Sequence, residues 1–237
     1  MNQLKEYWLS LDLSSEVSTV AIHRFEHPSA LELIVQSRLG DKFSHSENIL
    51  GVMEQALFQS KSELKDITRY VLTSGPGSFT GLRIAFATIK AFASCFARPI
   101  ETVDGSEVRA MAWAELNRQP LDNIVVVTQL GTNQFTAASL QSGLVCYEMV
   151  TPQNVQLLSP KNTILLDREP ANWKAVAGAT IEVFPLQASL LTEYVLRAKS
   201  RKTFTSAKQR NTLEPSYFGT RYALQSPSPH PYGQASE

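Results

Sequence analysis

The stretch LTSGPGSFTGLRIAF, Leu72 to Phe86, places Gly75, Gly77 and Gly81 between an apolar run and a long apolar helix. Backbone N–H groups at a helix start bind anions, so the context suits a phosphate. The spacing fits neither familiar cradle. A dinucleotide fingerprint requires G-x-G-x-x-G, and G-P-G-S-F-T-G is one residue longer. A Walker loop requires Lys and Ser or Thr after its last glycine, where Leu82 and Arg83 stand. The motif alone favours a structural turn, with Thr80 as the expected helix N-cap. Gly75, Gly77, Ser78 and Thr80 are nevertheless candidate ligand contacts, with Asp12 and Ser14 of LDLSS beside them. Asp12 can orient a ligand or a metal through water, or accept hydrogen bonds within its own turn.

Other chemistry-bearing residues form no catalytic pattern. HRFEH, His23 to His27, matches H-x-x-E-H, which binds zinc when a helix brings i and i+4 onto one face. Here it closes a predicted strand, where those positions lie about 13 Å apart at roughly 3.3 Å per residue. Pro28 also disfavours helix at His27. No metal is therefore expected. Ser78 does not sit in a G-x-S-x-G elbow, and no histidine has an evident pairing with it. Cys95, in an apolar helix, and Cys146, in a predicted strand, read as small buried hydrophobes.

The elements that must position these residues follow from periodicity. Tyr7 to Leu13, Ser18 to Phe25 and Leu31 to Ser37 form a predicted three-stranded meander. A helix follows, with Ser44 and Glu47 at capping-box spacing and Ile49, Leu50, Met53, Ala56 and Leu57 as its apolar stripe. Next come a strand from Arg69 to Ser74, the glycine turn, a helix to about Ala97, and a strand from Pro99 to Val103. In the second half, Asn123 to Leu130, Gln134 to Gln141 and Leu144 to Thr151 make another meander. A strand from Asn162 to Asp167, a short AVAG strand and a helix from about Leu186 to Lys199 complete it. The architecture is thus read twice although the sequence does not repeat.

The helix after the glycine turn carries only Arg83, Thr88, Lys90 and Ser94 as polar residues between Leu82 and Ala97. It must be covered nearly all round, by the neighbouring helix or by another chain. Composition fits an ordinary soluble chain. Of 237 residues, 43% are apolar, enough for a self-sufficient core. Lys plus Arg and Asp plus Glu balance at 22 each, so net charge offers no general attraction to nucleic acid or anionic membrane. No run of about 18 uninterrupted apolar residues spans a bilayer, and the N-terminus does not read as a signal peptide. A cytoplasmic location is expected. Arg197, Lys199, Arg201 and Lys202 read as a solvated helix end, with RNA phosphate as the alternative contact. The Pro- and Ser-rich tail, residues 223–237, is expected to be disordered.

LSLDLSSEVSTVAI, HSENIL, SGPGSFTGLRIAFATIKAFA and the late LEPSYFGTRY resemble, in order and spacing, the bacterial TsaB proteins, also called YeaZ. The match is dense from Tyr7 to Val103 and thin afterwards. This resemblance implies an α/β fold of the actin-like ATPase type (ASKHA, ribonuclease H-like). Two related lobes would each hold a central mixed sheet flanked by helices. The expected division is residues 1–104, 105–222 with the final helix returning to the first lobe, and the tail.

The resemblance also implies a non-catalytic role without a cofactor. TsaB proteins serve a TsaD-type enzyme, which with a TsaE-type ATPase moves threonylcarbamoyl to the adenosine beside the anticodon of tRNA. The expected partners are TsaD directly, TsaE and tRNA through the complex, or a second copy of the chain. The implied interface uses the two first-lobe helices, with Ile49, Leu50, Met53, Leu57, Arg83, Phe86, Ile89, Lys90 and Phe92 as core or interface positions. The strand pair TQLGTNQFTAA lacks the Asp and Arg common in the family, which weakens the case for a cleft ligand. The rival expectation is an enzyme, a nucleotide hydrolase or glycopeptidase-like protein of the same superfamily.

Overall fold

The computed structural model describes residues 5–26, 30–38, 45–131, 134–141, 144–151, 163–167 and 179–200. The first sheet is built from β1 (Lys5–Asp12), β2 (Thr19–Glu26), β3 (Ala30–Arg38), β4 (Ile67–Thr73) and β5 (Ile100–Val103), in the order β3-β2-β1-β4-β5. The second uses β6 (Ile124–Gly131), β7 (Gln134–Gln141), β8 (Leu144–Val150), β9 (Thr163–Leu166) and β10 (Thr180–Val183), in the order β10-β9-β6-β7-β8. Read from the other edge, the two orders are the same: an antiparallel meander, then two parallel strands. The twice-read meander is therefore present in both halves. The AVAG segment, Ser44 and the tail lie outside the described residues, whereas β10 was not expected from its short, charged sequence.

Among the described residues, four α-helices complete the layers: α1 (His45–Ser60), α2 (Phe79–Phe96), α3 (Gly105–Asn117) and α4 (Ala188–Ser200). On β1, alternation sends Leu9 and Leu11 to one face and Trp8, Ser10 and Asp12 to the other. The first face packs on α1 and α2 through Ile49, Met53, Ala56, Ala85, Phe86, Ile89 and Ala93. On the opposite face Trp8, Val71 and Val103 meet Leu191 and Val195 of α4, together with Val108 of α3. The rest of α3 sits on the second sheet, where Ala110, Trp113 and Ala114 meet Ile124, Val126 and Ala138. Helices α3 and α4 thus lie in contact between the sheets.

Helix α2 begins at Ser78, not at the expected Thr80: the Ser78 side chain accepts a bond from the Gly81 N–H at 3.2 Å. Ser precedes the first residue with helical backbone, while Thr80 already lies inside the first turn. Length and a mean hydropathy of 1.3 would by themselves suit α2 to a bilayer span. Its Leu82, Ala85, Phe86, Ile89 and Ala93 are instead packed in the core. Both cysteines are exposed rather than buried. Cys95 falls on the outward side of α2, and Cys146 on the exposed row of the edge strand β8.

The glycine turn owes its composition to backbone crowding. A Cβ on Gly77 would meet the Ser14 carbonyl oxygen at 2.3 Å, and one on Gly81 would meet that of Leu13 at 1.9 Å. Gly51, mid-helix in α1, has open space around it. Gly51→Ala should therefore stabilise the fold by about 0.5–1 kcal/mol through helix propensity. Gly81→Ala should cost about 2 kcal/mol or more by forcing the turn off β1. Urea midpoints at constant m measure both, and a Gly81→Ala variant of undiminished stability would contradict the packing.

Candidate functional site

Two regions gather the residues singled out above. The first is the turn around Asp12. The Ser14 N–H donates to Asp12 Oδ1 at 3.0 Å, so the aspartate does form its own turn. The glycine loop docks on that turn, with the Ser78 N–H donating to the Ser14 carbonyl at 2.6 Å. Three more of its donors are engaged: Gly75 with Thr73 Oγ1, Gly81 with Ser78 Oγ, and Leu82 with the Ser78 carbonyl. Gly105 N–H in turn donates to the Gly75 carbonyl at 2.8 Å, tying α3 to the loop. A phosphate cradle needs such N–H groups turned outward, and these four are spent within the chain.

Asp12 itself is wholly buried, with Oδ2 lacking a hydrogen-bond partner. Burial pushes its carboxyl up to about 6; the Ser14 bonds and Arg109 pull it down, and Asp167, just beyond β9, pushes it up again. Arg109 projects from α3 and is only 3% exposed. Its Nε donates to the Phe184 carbonyl at 2.8 Å and its Nη1 to Thr128 Oγ1 at 3.3 Å, while Nη2 has no partner. Burial lowers its pKa to about 10, against the attraction of Asp167 and Asp12. Arg109 and Asp167 were not among the expected site residues: α3 was not read as a helix, and Asp167 was read only as the end of the strand from Asn162. The signal was present in Asp104 and Glu107: Asp104 caps α3, its Oδ1 accepting from the N–H groups of Ser106 and Glu107.

His23, the other titratable group singled out on this face of β2, is 1% exposed and neither ring nitrogen has a partner. Burial lowers its pKa to about 4, so it is a neutral core imidazole at physiological pH. His27 lies outside the described residues. The strand geometry that argued against the H-x-x-E-H pattern is present in β2.

The second region is the outer side of α1 and α2. Of the nine positions named for it, Ile49, Met53, Phe86 and Ile89 are spent in the chain's own core. Leu57, Lys90 and Phe92 are half-buried, and Leu50 and Arg83 face outward. Phe79 and Phe58 join them at 43% and 84% exposure, and Arg83 lies over the Phe79 ring at 3.9 Å. Down α2 the exposed ridge continues through Ala87, Ala91 and Ser94. It is smooth and carries little charge.

The family profile described as "TsaD: tRNA N6-adenosine threonylcarbamoyltransferase" matches residues 42–147. The chain is 28% identical over 118 residues to the tRNA threonylcarbamoyladenosine biosynthesis protein TsaB of Buchnera aphidicola subsp. Acyrthosiphon pisum, covering 50% of each. It is 28% identical over 127 residues to the protein of the same name from Haemophilus influenzae, covering 53% of this chain and 50% of that one. The structure of YeaZ from Pseudomonas aeruginosa superposes with a TM-score of 0.61 at 19% identity, over 90% of this chain and 99% of that one. The chain is similar to proteins of the TsaB (YeaZ) family over about half of its length. It spans about half the length of the curated relatives it matches.

The likeness to YeaZ accounts for the two-sheet fold, because the superposition extends over both sheets. It does not account for the charges between them. A chain that retains an ionised Asp12 at neutral pH does so at the expense of stability. With the folded pKa above the unfolded value of 3.8, the favourable contribution is complete below about 3.8 and is lost as pH rises through about 6. Whatever its offset at low pH, Asp12→Asn should gain on the wild type by up to about 3 kcal/mol between roughly pH 4 and pH 7. Urea titrations across that range measure the gain, and parallel pH profiles for the two proteins would refute it.

Proposed function

We propose that this chain is a non-catalytic accessory subunit in the formation of threonylcarbamoyladenosine on tRNA. It binds a TsaD-type threonylcarbamoyltransferase through the outer side of α1 and α2. The observation that carries the reading is the division of α2. One side holds the first lobe together, and the other presents Phe79, Ala87 and Ala91 to solvent, as α1 presents Leu50 and Phe58. A face of small and apolar side chains lets another helix pair approach closely and bury the exposed rings. The names of the TsaB relatives and the TsaD profile supply the chemistry of the pathway.

In this reading the transfer chemistry belongs to the partner, with a TsaE-type ATPase and the tRNA reached through the assembled complex. Neutral net charge supports an indirect relation to tRNA, since 22 basic residues are matched by 22 acidic ones. Arg197 of the basic cluster is paired with Glu115 and Glu193. The four N–H groups of the glycine turn that bond within the chain support a protein without nucleotide of its own. The working location is the cytoplasm, where tRNA is modified. The same face serves a second copy of the chain when the enzyme is absent.

Binding to the TsaD-type protein of the same organism tests the proposal. Leu50→Asp and Ala87→Asp alter exposed positions, so melting temperatures should stay within experimental error of the wild type. Affinity for the partner should fall at least about tenfold, as for a charge placed in an interface centre. Asp12→Asn, on the far side of the sheet, should bind as the wild type does. Undiminished binding by both aspartate variants would remove this face from consideration.

A further inference from the structure

Helix α2 carries charge of one sign only. Its sequence holds Arg83 and Lys90 and no Asp or Glu, and Arg98 follows just beyond its C-cap, Ala97. At this end of the helix a cleft of about 330 Å³ is lined by Lys90, Ala93, Ser94, Arg98, Pro99 and Ile100. Among the described residues, neither Lys90 nor Arg98 forms an ion pair. The chain's own acids nearby are engaged elsewhere: Glu101 of β5 pairs with Arg69, and Glu63 with Lys65.

Cations at a helix C-terminus commonly meet its last carbonyls. Here the Ala93 carbonyl accepts from the backbone N–H groups of Ala97 and Arg98, and the Arg98 side chain reaches away from the helix. Its Nη2 donates to the Lys65 carbonyl at 3.1 Å, while Nε is buried without a partner. The guanidinium is thus held at one wall of the cleft, with Lys90 half-buried at the other and Ser94 exposed between them in the chain. Lys90 and Ser94 each lie one helical turn from Ala87 and Ala91, so the cleft continues the ridge described above. A cation covered by another chain without a counter-charge loses hydration and gains nothing in return. On the reading that this face meets a TsaD-type enzyme, we infer that the cleft is a carboxylate socket, which takes an Asp or Glu side chain of the enzyme between Lys90 and Arg98. Leu50, Phe58 and Phe79 supply apolar area, and the socket sets the register of the two helix pairs, because the charges meet in one alignment only.

Affinity of the full chain for the TsaD-type protein of the same organism, measured at low and at high salt, tests the socket. Lys90→Gln should weaken binding about tenfold at low salt and Lys90→Glu more, with the loss shrinking as salt screens the pair. Both variants should melt as the wild type does, since Lys90 has no ion pair to lose. Arg98→Gln, which keeps a donor for the Lys65 carbonyl without the charge, should weaken binding in the same salt-dependent way. Replacing the partner's acidic residues by Lys one at a time should yield one variant that prefers Lys90→Glu to the wild-type chain. If the Lys90 and Arg98 variants bind as tightly as the wild type while Leu50→Asp does not, the socket is refuted and the partner face stands. If Leu50→Asp and Ala87→Asp also bind undiminished, both are refuted. A weakening that salt does not alter would mark lost packing and overturn the inference. So would unchanged partner affinity with loss of self-association or of tRNA binding in Lys90→Glu, which would assign the cleft to a second copy or to phosphate.

Discussion

The structure depends on one close approach: the glycine turn laid against the end of β1. At Gly77 and Gly81 the two backbones come nearer than any side chain permits, with 2.3 and 1.9 Å left between a notional Cβ and a carbonyl oxygen. That contact sets where α2 starts and how it crosses the first sheet. Through the Gly105–Gly75 hydrogen bond it also sets where α3 starts. The outward ridge of α2 and the inward reach of Arg109 both descend from the same seam. Phosphate-binding loops use glycine so that a backbone can approach a ligand; here the approach is to the chain's own strand.

The second theme is the use of one topology twice with different contents. Both sheets carry a meander followed by two parallel strands. The first contributes Asp12, at the end of β1, and the second Thr128 of β6, which holds Arg109 of α3. A duplicated fold supplies paired strands, and the helix layer places an arginine on those of the second sheet.

Much of this was legible in the sequence because the signals were local. Period-two alternation located the strands of both meanders, and the apolar stripe beginning at Ile49 located α1. The turn character of Gly75 to Gly81 followed from spacing that fits no cradle. Asp12 was named, and its turn with Ser14 was anticipated. The misses have physical causes. Helix α3 alternates polar and apolar residues around its whole circumference because it touches both sheets, so no single stripe marks it. With α3 went Arg109, whose role exists only through contacts with Phe184 and Thr128, far along the chain. The separation of Ile49 and Met53 from Leu50 also required the structure, since an amphipathic pattern shows that a face is apolar and not what covers it.

Helix α4 closes the first lobe although nearly the whole second lobe precedes it in the chain. Trp8, Val71 and Val103 wait for Leu191 and Val195 to cover them. During synthesis on a ribosome the first sheet therefore emerges with one apolar face bare, and remains so until the end of α4 has left the exit tunnel. The lobes are thus not independent folding units in time. The last of the described helices completes what the first described strand begins, and a nascent chain released early would carry the exposed surface that chaperones recognise.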